Sequence, residues 1–276
     1  MRHGVTMFAT DLSMPPAELA REVEARGFDS LYLPEHTHIP TSRTTPPPTG
    51  DAELAEEYKR TLDPFVALAQ AAAVTTRIEL GTGVCLVAQR EPIVTAKQVA
   101  TLDHLCGGRV VLGVGFGWNQ DEAEHHGLVF SDRRAVAREH TLAMRALWEH
   151  DVASYDGERV RLAPSWAWPK PRRRVPVLLG GGAGPRLFAH LAEWADGWMP
   201  IGGAGLAAAL PDLRRAMEAR GRDPSTLRLV PFGTLPDAGK LAYYRELGVT
   251  EVVFRVPSAG RDEVLPALDQ WARLLR

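Results

Sequence analysis

The stretch Glu24-Ala25-Arg26-Gly27-Phe28-Asp29-Ser30-Leu31-Tyr32-Leu33 and its echo Arg245-Glu246-Leu247-Gly248-Val249-Thr250-Glu251-Val252-Val253-Phe254 share one grammar: a helix end, a glycine, then a short apolar run. A glycine just past a helix supplies the left-handed residue that stops it, and a run of this kind suits a strand buried on both faces. Similar β-rich runs recur at residues 5–8, 30–34, 78–81, 110–115, 175–179, 197–200, 227–232 and 251–256, each followed by a loop and a segment of helical period. Eight alternating units is the number that closes a (β/α)8 TIM barrel of parallel strands, and a chain of 276 residues fits one such domain spanning 1–276. An open doubly wound sheet is the alternative that this pattern leaves.

Two segments interrupt the alternation. The long loop after strand 2, from residue 35 to 63, carries Thr44-Thr45-Pro46-Pro47-Pro48-Thr49-Gly50 and exceeds what ordinary closure needs, which predicts a lid or substrate wall. Residues 154–174 read as a hairpin-like insertion. They begin Ser154-Tyr155-Asp156-Gly157-Glu158-Arg159-Val160-Arg161-Leu162, with an Asp-Gly turn signal, and return through a Trp-, Pro- and Arg-rich stretch.

Hydrophobic residues make up 45% of the chain, charged residues 24%, and the formal net charge is -2. This balance offers no electrostatic attraction to nucleic acid or an anionic membrane, and a small-molecule substrate is the expected partner. Cys85 and Cys106 are too few for a disulfide framework and lack the paired spacing of a zinc site, so they are expected as core thiols in a reducing cytoplasm. The start Met1-Arg2-His3-Gly4-Val5 has no signal layout, and no apolar run approaches the roughly 20 residues of a membrane helix, so a cytoplasmic protein is expected.

In a barrel the chemistry is sought where strands end. After the second run, Pro34-Glu35-His36-Thr37-His38 offers His36 as an acid or base near neutral pH, with Glu35 beside it as a second catalytic candidate; a histidine bonded to a neighbouring loop is the other reading. His36-x-His38 also looks like the metal pair of barrel amidohydrolases. Leu179-Gly180, Pro200-Ile201 and Arg255-Val256 stand where such enzymes keep further ligands, so no metal is expected.

After the third run, Leu80-Gly81-Thr82-Gly83-Val84 places glycines where backbone can approach a flat ring, or simply turn. After the fourth, Gly113-Val114-Gly115-Phe116-Gly117-Trp118-Asn119 lacks the G-x-G-x-x-G fingerprint of a dinucleotide fold. After the fifth, Gly180-Gly181-Gly182-Ala183-Gly184-Pro185-Arg186 leads into a helix with Leu187 and Leu191 on its apolar face. Free backbone N–H groups at that helix start favour an anion such as a cofactor phosphate by about 0.3–1 kcal/mol. Arg172-Arg173-Arg174 reads as a solvated loop. Among the tryptophans, Trp118 is the candidate for ring stacking, while Trp166, Trp168, Trp194 and Trp198 read as core or wall residues.

Taken in order, Phe28-Asp29-Ser30-Leu31-Tyr32-Leu33-Pro34-Glu35-His36, Ile78-Glu79-Leu80-Gly81-Thr82-Gly83-Val84, Lys97-Gln98-Val99-Ala100-Thr101-Leu102-Asp103-His104-Leu105-Cys106-Gly107-Gly108-Arg109 and Val111-Leu112-Gly113-Val114-Gly115-Phe116-Gly117-Trp118 resemble the luciferase-like monooxygenase superfamily. The resemblance continues through Pro176-Val177-Leu178-Leu179-Gly180-Gly181 to Ala195-Asp196-Gly197-Trp198 and covers most of the chain. The run from Pro34 to Pro40 is most similar to the branch that uses the deazaflavin coenzyme F-420. The resemblance implies a bacterial-luciferase-like barrel, a homodimer, and hydride transfer between F-420 and a small organic substrate. An FMN-dependent monooxygenase is the first alternative and a non-catalytic deazaflavin-binding protein the second.

The resemblance further implies a ring against Gly83 and Val84, often across a non-prolyl cis peptide, with Gly117 and Trp118 nearby. It implies a phosphate in the loop Gly180, Gly181, Gly182, Ala183 and Gly184. By position, His36 matches a histidine near the reactive ring face. One departure stands out. Where sugar-phosphate-oxidising relatives put a glutamate proton donor, this chain has Trp118, with Glu122 one helical turn on.

Overall fold

In the computed structural model, which describes residues 1–46 and 53–275, strand residues alternate between two destinations. Tyr32, Val111, Leu178, Val230, Phe232 and Val253 point into a narrow inner cluster. Their neighbours Leu31, Leu33, Val110, Leu112, Val177, Leu179, Val252 and Phe254 pack outward against the helices. That is the period of two expected of a sheet curled on itself, with both faces apolar because both are covered.

The strands are β1 (Arg2–Thr6), β2 (Ser30–Leu33), β3 (Glu79–Thr82), β4 (Val110–Val114), β5 (Ala153–Asp156), β6 (Arg161–Ser165), β7 (Val177–Gly180), β8 (Gly197–Met199), β9 (Arg228–Leu229), β10 (Phe232–Thr234) and β11 (Glu251–Arg255). β5 and β6 form the antiparallel hairpin expected near residue 154. The other nine line up as β10-β11-β1-β2-β3-β4-β7-β8-β9.

The run at 227–232, expected as one strand, is instead two short ones, because Pro231 has no N–H to donate and the register shifts beside it. The two pieces nevertheless close the ring. Val230 N donates to Trp198 O at 2.8 Å on one side, while Thr250 N donates to Leu229 O at 3.0 Å and Val253 N to Pro231 O at 2.9 Å on the other. The first strand also begins earlier than residue 5, since Arg2 N donates to Thr250 O and His3 N to the Asp29 carboxylate.

Around the barrel lie α1 (Pro16–Ala25), α2 (Glu56–Lys59), α3 (Pro64–Ala72), α4 (Pro92–Cys106), α5 (Gln120–His125), α6 (Arg133–Glu149), α7 (Pro185–Trp194), α8 (Leu206–Glu218), α9 (Ala238–Glu246) and α10 (Arg261–Ala272). α3 and α4 start on a proline behind an acidic cap. Asp63 accepts from Phe65 N and Val66 N, and Glu91 from Val94 N. α2 sits in the long loop after β2, whose proline-rich stretch from Pro47 to Gly50 lies outside the described residues. No described helix is long and apolar enough to cross a membrane. Cys85 and Cys106 are buried and unpaired.

The N-terminal mouth is plugged by charge. Arg228, on β9, reaches Glu251 at 2.6 Å and Glu79, on the opposite side of the ring, at 3.0 Å; Arg2 and Arg173 meet Glu79 at 2.7 and 2.8 Å. Burial pushes the Glu79 carboxyl up, but Arg228 and Arg2 outweigh it and hold the group below its ordinary value of 4.5. A depressed carboxylate contributes stability above the unfolded value that is lost as pH falls through the folded one. Urea midpoints at pH 7, 5 and 3.5 should therefore fall more steeply below about pH 4.5 in the native protein than in Glu79→Gln, by on the order of 1–2 kcal/mol. Parallel acid limbs would show that this carboxylate does not set the acid sensitivity.

Candidate active site

At the opposite mouth, where the strands end, a cavity of about 340 Å3 opens. Its base is Val84. A Cβ added at Gly115 would stand 2.2 Å from Val84 Cγ2, and one at Gly180 would stand 3.1 Å from Val84 Cγ1. The valine can lie flat across the barrel mouth only because both neighbours lack side chains. The peptide between Gly83 and Val84 is cis. Met199 and Phe232 complete this side of the cavity.

The loop after β2 forms the next wall. His36 Nδ1 lies 2.8 Å from Glu122 Oε2, and its ring sits 5.4 Å from Tyr58 and 5.8 Å from Trp118. Glu122 is buried, and its other oxygen has no hydrogen-bond partner among the described residues. His38 diverges from His36, with Nε2 2.9 Å from His125 Nδ1, while Thr37 Oγ1 meets His126 Nε2 at 2.7 Å. Thr44 N donates to Asp121 at 2.8 Å. The lid thus docks along α5 and the residues just past it, and His36 and His38 turn to different partners.

Glu35 lines the cavity, yet both its oxygens are engaged. One accepts from Leu86 N at 2.7 Å, the other from Arg90 Nε at 2.5 Å, and Arg90 continues to Asp63 at 2.7 Å. Burial, and then this carboxylate, push the Cys85 thiol well above its ordinary value. Glu35 therefore ties the start of the lid to the exit of β3 and, through Arg90, to the lid's end. That geometry is a strut's, where a catalytic role was expected of it, because each oxygen already accepts from a donor of the protein itself.

The glycine loop after β7 divides. Gly180 and Gly181 line the cavity, as do Gly117 and Trp118. Ala183 and Gly184 line a separate groove between α7 and α8, and Gly182 lines neither. The chain turns outward at Gly181, φ +143°, so only the first two residues of the expected cradle reach the cavity.

What completes the anion end is a pair that sequence reasoning missed, Arg133 and Arg134. Arg133 Nε and Arg134 Nη1 are buried without a hydrogen-bond partner, and neither residue has an ion pair among the described residues. Burial and Arg186 depress the Arg133 guanidinium, and burial and Arg133 depress that of Arg134. Their guanidinium carbons lie 3.9 Å from the Phe130 ring and 4.2 Å from the Phe116 ring. The signal was available: two cations in the first turn of a helix oppose its dipole and call for an anion. Tyr58 was missed as well, since the lid shows no periodic pattern.

The sequence profile described as luciferase-like monooxygenase matches residues 16–235. An uncharacterized protein of Mycobacterium tuberculosis is 44% identical, over 100% of this chain and 99% of that protein. The F-420-dependent glucose-6-phosphate dehydrogenase of Kineococcus radiotolerans is 30% identical, over 75% of this chain and 59% of that protein. A solved F-420-dependent secondary alcohol dehydrogenase, in complex with an F-420–acetone adduct, superposes with a TM-score of 0.78 over 99% of this chain and 98% of that one. At 18% identity this is a likeness of fold.

If Glu35 is a strut, Glu35→Gln should destabilise the protein by about 1.5–3 kcal/mol, the range for hydrogen bonds to charged groups, while the native fraction keeps its turnover. Urea unfolding and kcat at low temperature read the two effects separately. A large loss of kcat with unchanged stability would restore the catalytic role.

Proposed function

We infer the function from one premise: the chain belongs to the luciferase-like monooxygenase family and is an oxidoreductase of that class. We propose that it transfers a hydride between the deazaflavin coenzyme F-420 and a small organic substrate. The observation that carries this reading is the pair of buried, unpartnered nitrogens on Arg133 and Arg134 beside Gly180 and Gly181, on a cavity whose base is kept flat by Val84. Such a donor set fits a planar ring that bears a phosphate. The likeness to a Kineococcus enzyme named for F-420 supports the deazaflavin over FMN.

When bound, the coenzyme supplies or accepts the hydride. Arg133 and Arg134 hold its anionic arm, relieving the repulsion between two half-buried cations. Gly83, Val84, Gly115 and Gly180 let a ring face approach the backbone without a clash. Glu122 engages Nδ1 of His36, so Nε2 is the atom at which His36 holds or moves a proton for the substrate. Trp118, standing where sugar-phosphate-oxidising relatives keep a carboxylate, packs on His36 and serves as wall. Glu122 instead acts through His36 as a positioning residue.

Titration with F-420 and FMN, followed by fluorescence, tests the cofactor. Binding of FMN alone would turn the reading toward a flavin-dependent monooxygenase. Arg133→Ala/Arg134→Ala should weaken F-420 binding at least tenfold while the ligand-free protein keeps or raises its urea midpoint, because two unpaired cations no longer face each other. Unchanged affinity would overturn the assignment of the anion end. His36→Asn should lower kcat by roughly 100- to 10,000-fold with little change in F-420 affinity. An unaffected kcat would remove His36 from the chemistry.

A further inference from the structure

We infer that the substrate is uncharged and largely apolar, and that Glu57 of the lid enforces this selectivity by neutralising Arg255. The inference rests on the reading of the glycine end as the cofactor's place. It starts from the distribution of charge. Three arginines line the cavity: Arg133, Arg134 and Arg255. The first two are unpaired among the described residues, whereas Arg255, at the end of β11, is bonded to Glu57 of α2 and stands 5.5 Å from the Phe8 ring.

These groups occupy opposite sides of the barrel. In the strand order, β11 is four places from β4 and β1 four places from β7, half-way round a ring of eight positions in which β9 and β10 share one. The unpaired cations therefore belong to the side of β4 and β7, and the compensated one to the side of β1 and β11. On that second side the walls are aromatic. Phe8 and Tyr58 lie 4.7 Å apart, and Tyr58 is 6.2 Å from Trp118.

One short helix supplies both properties. Glu57 and Tyr58 are neighbours on α2, so the lid brings the aromatic wall and the counter-charge together. Of the lid's other cations, Lys59 pairs with Glu56 and Arg60 with Asp11, while Arg43 has no ion pair among the described residues; none of the three lines the cavity. The stretch Pro47-Pro48-Thr49-Gly50-Asp51-Ala52 contains no cation in its sequence.

A carboxylate or phosphate on the substrate would have to displace Glu57 from Arg255, in a site that offers it no other unpaired cation once the cofactor's anion holds Arg133 and Arg134. An uncharged molecule meets no such competition and gains contact with aromatic faces. Discrimination then comes from a repulsive element built into the lid as much as from attraction.

Two probes of equal shape and unequal charge test this, 4-acetylbenzamide and 4-acetylbenzoate, titrated calorimetrically into the full chain with and without F-420. With F-420 bound, the native protein should bind the amide at least tenfold more tightly than the carboxylate. Glu57→Gln should tighten the carboxylate at least tenfold and leave the amide within about twofold. Glu57→Gln/Arg255→Gln should restore the preference for the amide, which separates a charge effect from a loosened lid. A native preference for the carboxylate, an unchanged ratio in Glu57→Gln, or no binding of either probe overturns the inference. Failure of F-420 to bind would sink the cofactor reading and this inference with it, whereas F-420 binding together with any of those outcomes overturns this inference alone.

Discussion

The structure turns on a steric vacancy. Val84 can lie across the barrel mouth only where residues 115 and 180 carry no side chain, and those two glycines end strands on the far side of the turn that Val84 begins. Three strand ends are thereby brought close enough to form one surface, and the walls of the cavity are built outward from it. Substituting any of the three residues with something larger would push the strand ends apart, since protein interiors have little slack to absorb a methyl group.

Arginine plays two opposite parts at the two mouths. At the N-terminal end Arg228 spans the barrel between Glu79 and Glu251, and its charge is spent on holding the ring closed. At the C-terminal end Arg133 and Arg134 crowd each other with no carboxylate partner among the described residues. A buried cation without a partner costs free energy, and natural folds retain that cost where a ligand is to offset it. Within the two mouths, the arginines that meet carboxylates brace the barrel, and the pair that meets none is the one that faces the cavity at its glycine end.

The lid follows the same logic on a larger scale. Its start is tied down by Glu35 and Arg90, its middle by contacts of residues 36, 37, 38 and 44 with α5 and its C-terminal flank, and α2 by Glu57 with Arg255. A loop held at this many points acts as a wall with fixed chemistry. His36 sits where the lid, α5 and the barrel mouth meet, which explains why its ring has defined neighbours on several sides.

Much of the architecture was legible because it is written locally. Gly27 and Gly248 adopt the left-handed backbone, φ +86° and +78°, that their place before an apolar run implied, and the hairpin announced by Asp156-Gly157 is present. That Gly83 and Val84 stand at a strand end was likewise a matter of a few adjacent residues, and both line the cavity. The pairings were not legible. Glu122 lies 86 positions from His36 and Glu57 lies 198 positions from Arg255, so no periodicity or propensity connects them. The sequence by itself determined the barrel, its punctuation and the strand ends where chemistry would collect. Only the tertiary structure decided which carboxylates are struts, which cavity arginines lack a carboxylate and which glycines face the cavity, because those depend on which elements curvature brings together across the ring.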